Sequence, residues 1–235
     1  MTSTKPHRAK VFIGIDLAWG GKNASGFAVL DEQAKLLEHA LLFCLNDIVH
    51  EVQKYINEYN VFIGVDAPLL VENESGNRAI EKAFLRDFSK YKIGMLPVNR
   101  KIMCKYSAIP RGEALRKKLE PFIDEDNLYE VYPHSTLAVL FNNNTILPYK
   151  RKTGRSLEMV KEALQRYQGF LKKVITRDEL FECNLVEMKG KPLKNYEDRL
   201  DAITCAYTLV YFSKHKQKCK VYTEAKARFI TPYMG

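Results

Sequence analysis

Two nearly identical apolar segments, each ending in an aspartate, constrain the fold of this chain more than any other feature. Residues 12–16 are Phe-Ile-Gly-Ile-Asp, and residues 62–66 are Phe-Ile-Gly-Val-Asp. Short runs of β-branched and aromatic residues favour buried strands. If the two strands are parallel neighbours, they lie ~4.8 Å apart, so that Asp16 and Asp66 meet at one edge of the sheet.

Two carboxylates at one sheet edge require a compensating positive charge. At 4 Å they repel by roughly 4 kcal/mol with an effective dielectric constant near 20. A shared proton or a cation removes this repulsion, and hard divalent cations such as Mg²⁺ prefer carboxylate oxygens. Aspartate also caps turns at strand ends, so two unrelated capping residues are the alternative interpretation. The paired arrangement favours a metal site at Asp16 and Asp66.

A second acidic pair lies at the start of the last predicted helix, at about residues 196–212. Asp198 and Asp201 are three residues apart and therefore share one helical face. The same face continues with small apolar residues, which predicts packing against the sheet, and against Gly14 and Gly64 in particular. Asp198 is also explained as part of a helix cap after Asn195, so Asp201 is the stronger candidate.

The rest of the pattern predicts a mixed α/β domain spanning residues 1–235, with a flexible lead-in at residues 1–10. We expect a three-stranded antiparallel meander, a crossover helix begun by Asn46, and further parallel strands. This makes a five-stranded central sheet flanked by helices, with helical and loop insertions near residues 91–127 and 142–195. The expected strands lie at about residues 11–16, 26–30, 35–43, 61–66 and 128–132. The tail after Phe212 alternates weakly and suggests a hairpin.

The charge of the chain favours a polyanionic partner. Its 37 Lys and Arg residues exceed its 28 Asp and Glu residues, for a formal net charge of +9. Nucleic acid is the expected partner, although a merely soluble basic surface has the same composition. The basic segment that contains Lys150, Arg151, Lys152 and Arg155 is either a phosphate-binding loop or a solvated one.

Several other side chains are weaker candidates. Glu130 interrupts a short apolar strand, either as a site acid or as an outward-facing residue. His134 follows that strand and is either near a phosphate or at a helix start. Trp19 and Tyr106 are candidates for stacking on bases, with packing inside the protein as the alternative role.

Composition excludes other classes of protein. The five cysteines are odd in number and lack C-x-x-C spacing, which argues against a disulfide framework and a cysteine-ligated zinc site. Reduced thiols predict a cytoplasmic protein. No stretch approaches the ~18 apolar residues of a membrane span, and the N-terminal segment lacks the apolar core of a signal peptide.

The motifs taken in order resemble a known family. Gly-Ile-Asp with Trp-Gly-Gly, then Gly-Val-Asp-Ala-Pro, Glu-Val-Tyr-Pro and Asp-Arg-Leu-Asp-Ala, occur between residues 14 and 202. The chain resembles the predicted-nuclease family catalogued as domain of unknown function 429, whose members are assigned to the ribonuclease H-like fold. Family positions match the catalytic acids Asp16, Asp66, Glu130 and Asp201, with Asp198 beside them. Basic and aromatic positions of the family match Arg78, Tyr149 and Lys150, and we expect Arg78 to bind substrate.

The resemblance implies hydrolysis of phosphodiester bonds with Mg²⁺ or Mn²⁺, in a site with two ions ~3.5–4 Å apart. Asp16 would bridge the ions, Asp66 and Asp201 would complete their ligands, and Asp198 or Glu130 would be alternates. A phosphotransferase or ATP-binding protein of the same superfamily is one alternative, although the sequence shows no second Gly-rich phosphate loop. A non-catalytic nucleic-acid-binding protein is another. The type of nucleic acid and the oligomeric state stay open.

Overall fold

The computed structural model describes residues 8–105, 107–176 and 179–233. Residues 1–7 of the predicted lead-in and Tyr106 lie outside the described residues. The strands are β1 (Lys10–Asp16), β2 (Ser25–Asp31), β3 (Leu36–Leu42), β4 (Asn60–Val65), β5 (Leu128–Val131), β6 (Cys219–Glu224) and β7 (Ala227–Pro232). The helices are α1 (Leu45–Ile56), α2 (Ala79–Phe88), α3 (Arg100–Met103), α4 (Arg111–Leu119), α5 (Pro133–Phe141), α6 (Leu157–Lys172) and α7 (Gly190–Lys214).

The strands form one mixed sheet in the order β3-β2-β1-β4-β5-β7-β6. The predicted meander is confirmed, because β1 pairs antiparallel with β2 and β2 pairs antiparallel with β3. The predicted parallel extension is also confirmed by the β1–β4 and β4–β5 pairs. The two similar segments are in register, with Gly14 opposite Gly64. Their aspartates therefore reach the same edge of the sheet.

The expected number of five strands is wrong, since the sheet has seven. The predicted C-terminal hairpin exists as β6 and β7, and β7 adds to the sheet as a parallel partner of β5. Weak alternation in the tail indicates strands, but it carries no information about their partner. The pairing of Glu130 with Phe229 joins positions 99 residues apart and is a long-range contact.

Two helices begin earlier than the sequence predicted. Cys44, not Asn46, caps α1, because its Sγ accepts from Asp47 N and its own N–H donates to Asp47 Oδ2, both at 3.4 Å. Helix α7 begins at Gly190 rather than near residue 196, so Asp198 lies inside the helix and its interpretation as a cap residue is wrong. Pro192 is compatible with this start, since N–H groups in a first turn have no intrahelical partner.

Helix α7 packs so closely on the sheet that only glycine fits beneath it. A Cβ on Gly14 would lie 1.9 Å from the carbonyl oxygen of Ala202, and one on Gly26 would lie 2.0 Å from that of Asp198. The predicted contact with Gly14 is confirmed, whereas the contact of α7 at Gly64 is looser, with the carbonyl oxygen of Cys205 at 3.1 Å from a Cβ built there. This approach brings the acidic turn of α7 to the ends of the strands.

Helices cover both faces of the sheet. Helices α6 and α7 pack with Phe12, Ala28 and Leu30 on one face, whereas α1 and α4 pack with Ile13 and Ile15 on the other. In the ranges that the structure describes, no helix is both long and apolar enough to span a membrane.

Candidate metal site

Three of the predicted acids converge at one edge of the sheet. Asp16 is the last residue of β1, Asp66 directly follows β4, and Asp201 lies on α7. Each contributes a carboxylate oxygen, and these oxygens all lie within 4.8 Å of one another. The backbone N–H of Asp66 donates to the carbonyl of Ile15 at 2.8 Å, which extends the pairing of the two strands to the site. The three residues form a group that can hold a cation.

Asp201 is the most firmly positioned of the three carboxylates. It is fully buried, and the hydroxyl of Tyr149 donates to its Oδ1 at 2.7 Å. The hydroxyl of Tyr167 lies 3.0 Å from the same oxygen. The other oxygen, Oδ2, lies 2.8 Å from the Nζ of Lys150, whose side chain is 26% exposed. The hydroxyls of Tyr149 and Tyr167 therefore hold one oxygen of Asp201, and the ammonium group of Lys150 faces the other.

The charges of the cluster are strongly coupled. Burial raises the pKa of Asp66 to about 7, while Lys150 opposes the rise and Asp201 adds to it. Burial likewise raises the pKa of Asp16 well above its usual range. Burial also favours protonation of Asp201, but the ammonium of Lys150 outweighs it and holds the pKa of Asp201 below its usual value. For Lys150, burial lowers the pKa, but the three carboxylates prevail and raise it.

The pKa shifts of the three carboxylates indicate whether the site suits a metal ion. With Lys150 as the counter-ion, Asp201 is ionised, while Asp16 and Asp66 are stabilised in their protonated forms. A divalent cation would supply the further positive charge that allows all three to ionise. An all-oxygen donor set is the kind that Mg²⁺ and Mn²⁺ prefer. The residues present therefore fit such an ion.

The structure does not bring Asp198 into this group. Its carboxylate forms an ion pair with Lys194, one turn earlier on α7. Lys194 also contacts Glu197 Oε1 at 2.9 Å. Among the described residues, the cluster of possible ligands contains Asp16, Asp66 and Asp201. Asp198 lies one turn before Asp201, beside the cluster.

Glu130 also lies outside the cluster and instead anchors the segment that follows Asp66. Its Oε1 accepts from the backbone N–H of Leu69 at 2.7 Å and from Arg78 Nη1 at 2.9 Å. Its Oε2 accepts from Arg78 Nη2 at 2.7 Å. Both side chains are almost fully buried. The interpretation of Glu130 as an outward-facing residue is therefore wrong, and its contacts place it in an ion pair next to the site.

Arg78, expected to bind substrate, is fully engaged inside the protein. Besides Glu130, its guanidinium donates to both carboxylate oxygens of Glu81 and to the carbonyl of Leu70. These contacts occupy all five of its N–H donors. Arg78 therefore has no donor left for a phosphate, and it holds the loop after β4 in place. Glu81 is not among the residues predicted for the site, although its position three residues after Arg78 is a usable signal.

A cavity of about 300 Å³ lies against Asp66. Lys150 and Lys152 line it, which places two of the predicted phosphate-binding residues beside the acids. Arg155 donates to the carbonyl of Lys150 at 2.9 Å and so supports the loop, whereas Arg151 is exposed. The cavity connects the acidic cluster to the basic segment.

His134 lines the same cavity and is buried. Its ring lies 4.6 Å from that of Tyr149, and among the described residues its Nδ1 has no hydrogen-bond partner. Burial, with the charge of Lys150, lowers the pKa of His134 to about 3, so the ring is neutral at physiological pH. A neutral imidazole can donate or accept a hydrogen bond, but it does not supply a positive charge for a phosphate.

Comparison with known proteins gave one match. A family model described as "Protein of unknown function (DUF429)" matches residues 14–224, a span that contains all three clustered aspartates. None of the curated proteins and none of the solved structures matches the chain.

Proposed function

The chain belongs to the family of proteins of unknown function DUF429, and we propose that it is a divalent-metal-dependent nuclease with a ribonuclease H-like fold. The observation that carries this proposal is the convergence of Asp16, Asp66 and Asp201 within 4.8 Å at the edge of the sheet. Ligands of open α/β sheets bind at the carboxyl ends of the strands, where Asp16 and Asp66 lie.

The strand order supports the proposed fold. An antiparallel meander followed by two parallel strands, β4 and β5, is the arrangement that the family resemblance implied. The hairpin of β6 and β7 is an addition at the far edge, next to β5. The long helix α7 crosses the meander and delivers Asp201, as the resemblance also implied for the helix acid.

In the proposed site, Asp16, Asp66 and Asp201 hold Mg²⁺ or Mn²⁺, with two ions as the expected number. Bound ions would activate water and neutralise charge on the phosphate. The tyrosines at Asp201 keep its carboxylate oriented, and the ion pair of Glu130 with Arg78 keeps the segment after Asp66 in place. Asp198 stays an alternate ligand, one turn away.

The proposed substrate is nucleic acid. Lys150 and Lys152 lie next to the acids, where they can contact phosphate oxygens, and the net charge of +9 favours a polyanion. A phosphotransferase and a non-catalytic nucleic-acid-binding protein are the competing proposals. The convergence of three carboxylates beside Lys150 favours hydrolysis over binding alone, because binding phosphate requires no acids.

A cleavage panel tests the proposal. Single- and double-stranded DNA, RNA, an RNA–DNA hybrid and a four-way junction are incubated with the protein in Mg²⁺ or Mn²⁺. We expect metal-dependent cleavage of at least one substrate, lost by roughly 100-fold or more in Asp66→Asn. Asp126→Asn, which changes an exposed aspartate, is the matched control and keeps its activity.

The other outcomes separate the competing functions. Binding of nucleic acid with no cleavage by the wild-type protein would refute the nuclease and favour the binding protein. Neither cleavage nor binding would refute both, and ATP and small phosphorylated substrates would then be tested. Cleavage that persists in Asp66→Asn would mean a contaminating nuclease or a different site.

A further inference from the structure

The cavity beside Asp66 has the size and position of a ligand site. Its volume of about 300 Å³ is at the lower end of the range, roughly 300–1,000 Å³, that small-molecule pockets occupy. Asp66 and Lys150 both line it, so a molecule inside it adjoins the acidic cluster. The proposed nuclease requires only that a phosphate reach the acids, and a cleft of this size beside them has room for a further ligand group.

The walls of the cavity suit a flat aromatic group. Trp19 comes from the β1–β2 connection and Tyr132 from the residue after β5. Apolar side chains from the segment between α2 and α3, Met95, Leu96 and Val98, form further wall. Nucleobases stack on aromatic side chains with little dependence on sequence, because every base has a π-face. An apolar and aromatic wall next to metal-binding acids therefore matches a base joined to a phosphate.

His134 adds a polar side chain to the wall of the cavity. His134 lines the cavity with only 8% of its surface exposed, and its Nδ1 has no hydrogen-bond partner in the described part of the chain. That nitrogen is itself buried from the cavity, so a base would meet the remaining edge of the imidazole. A neutral imidazole can donate or accept a hydrogen bond, and the polar edge of a nucleobase carries both donors and acceptors.

The charged side chains of the cavity determine the orientation of a bound nucleotide. Lys150 Nζ lies 2.8 Å from Asp201 Oδ2, so the positive side of the cavity is also the side of the acids. Lys152 lines the same cavity. A phosphate in the cavity then lies against Lys150 and Lys152, on the side of Asp66, while the attached base points toward Trp19 and the apolar wall. A base within a duplex is stacked and paired and cannot enter such a cavity unless it is extruded.

We propose that this cavity binds one unstacked nucleobase, so that the protein acts on a nucleotide that is unpaired. The inference rests on the proposed nuclease function and names its substrate class. The same chemistry is present in a free mononucleotide and in an unpaired nucleotide of a strand, and the experiment below distinguishes these sources.

Trp19 is the one tryptophan of the chain, so its fluorescence reports directly on the cavity. The full-length protein with Mg²⁺ is titrated with adenosine 5′-monophosphate, inorganic phosphate, and a cleavage-resistant phosphorothioate oligonucleotide, single-stranded or in a duplex. We expect saturable quenching by the single strand and at least tenfold weaker binding of the duplex. If the mononucleotide quenches the fluorescence at similar concentrations, a free nucleotide is a sufficient ligand for the cavity. If only the single strand quenches it, the ligand is an unpaired nucleotide within a polymer.

Two variants block the cavity in different ways. Val98→Phe fills it, and Val186→Phe, at a valine that is 60% exposed elsewhere, is the matched control. Leu96→Asp adds a repelling charge at a residue that is 66% exposed and therefore tolerant of substitution, with Ile109→Asp as its control. We expect each cavity variant to bind the single strand at least tenfold more weakly at an unchanged melting temperature, and each control to bind as the wild type does.

The outcomes separate this inference from the nuclease proposal. Equal affinity for duplex and single strand, equal quenching by phosphate alone, or unaltered binding in folded Leu96→Asp would each overturn the nucleobase site. Cleavage of nucleic acid without a saturable Trp19 response would overturn the site and leave the nuclease standing. Saturable binding that Val98→Phe abolishes, in a protein that cuts nothing, would support the site and refute the nuclease.

Discussion

Substitution of Lys150 by methionine tests the electrostatic account of the acidic cluster. The change removes the ammonium 2.8 Å from Asp201 Oδ2 and keeps an unbranched side chain. Unit charges at that distance attract by about 6 kcal/mol with an effective dielectric constant near 20. Desolvation of the pair offsets part of this attraction, and breaking a buried pair costs roughly 3–5 kcal/mol. Since Lys150 is 26% exposed, we expect a loss at the lower limit, about 3 kcal/mol.

Thermal unfolding measures this loss. In a domain of this size each kcal/mol changes the Tm by roughly 2–4 °C, so in EDTA Lys150→Met should melt about 6–12 °C below the wild type. Mg²⁺ or Mn²⁺ should raise the Tm of the variant more than that of the wild type. The physical reason is that the ion supplies the positive charge that the variant lacks, whereas in the wild type it competes with the ammonium.

Lys152→Met is the matched control, because Lys152 is an exposed neighbour in the same segment. We expect its Tm to stay within about 2 °C of the wild type. An unchanged Tm for Lys150→Met in EDTA would refute the reasoning, since the ion pair would then contribute nothing. An equal fall in the Tm of Lys152→Met would assign the effect to the loop and not to the ion pair. An equal rise in Tm on adding metal to Lys150→Met and to the wild type would show that Lys150 does not compete with the ion.

Three further predictions address the packing, the buried ion pair and the acids. Gly14→Ala should lose more than about 3 kcal/mol in urea unfolding, because its Cβ would lie 1.9 Å from a carbonyl oxygen of α7. The control Gly169→Ala has open space around the new methyl group in α6, and its free energy of unfolding should rise by roughly 0.5–1 kcal/mol. A Gly14→Ala protein more stable than Gly169→Ala would contradict the close packing of α7 on the sheet. Arg78→Met should lose about 3–5 kcal/mol in the same assay, because it leaves two buried carboxylates without their cation; a loss below about 1 kcal/mol would contradict this. Because burial raises the pKa of Asp66 to about 7, metal binding at pH 6 should release protons and strengthen as the pH rises; calorimetric heats that do not depend on the buffer would refute this.

Local patterns identified most of the strands because they depend on neighbouring residues. The period of apolar side chains located β1 to β5, and the tail was recognised as a hairpin. The start of α7 and the cap of α1 were missed. The N-cap of α7, Lys189, makes no side-chain capping bond and so leaves no capping signal in the sequence. Cysteine is an uncommon N-cap, and its use at Cys44 depends on the reciprocal bond to Asp47.

The similar segments 12–16 and 62–66 already implied that Asp16 and Asp66 meet, since parallel pairing in register places their ends together. The identities of the acids were thus present in the sequence. The sequence did not show which acids can bind a metal and which form ion pairs that stabilise the site, because this depends on where distant segments lie. Glu130 joins Arg78 across 52 positions, and Lys150 reaches Asp201 across 51. Local preferences specify strands and helices, but long-range packing determines which charges are brought together away from water.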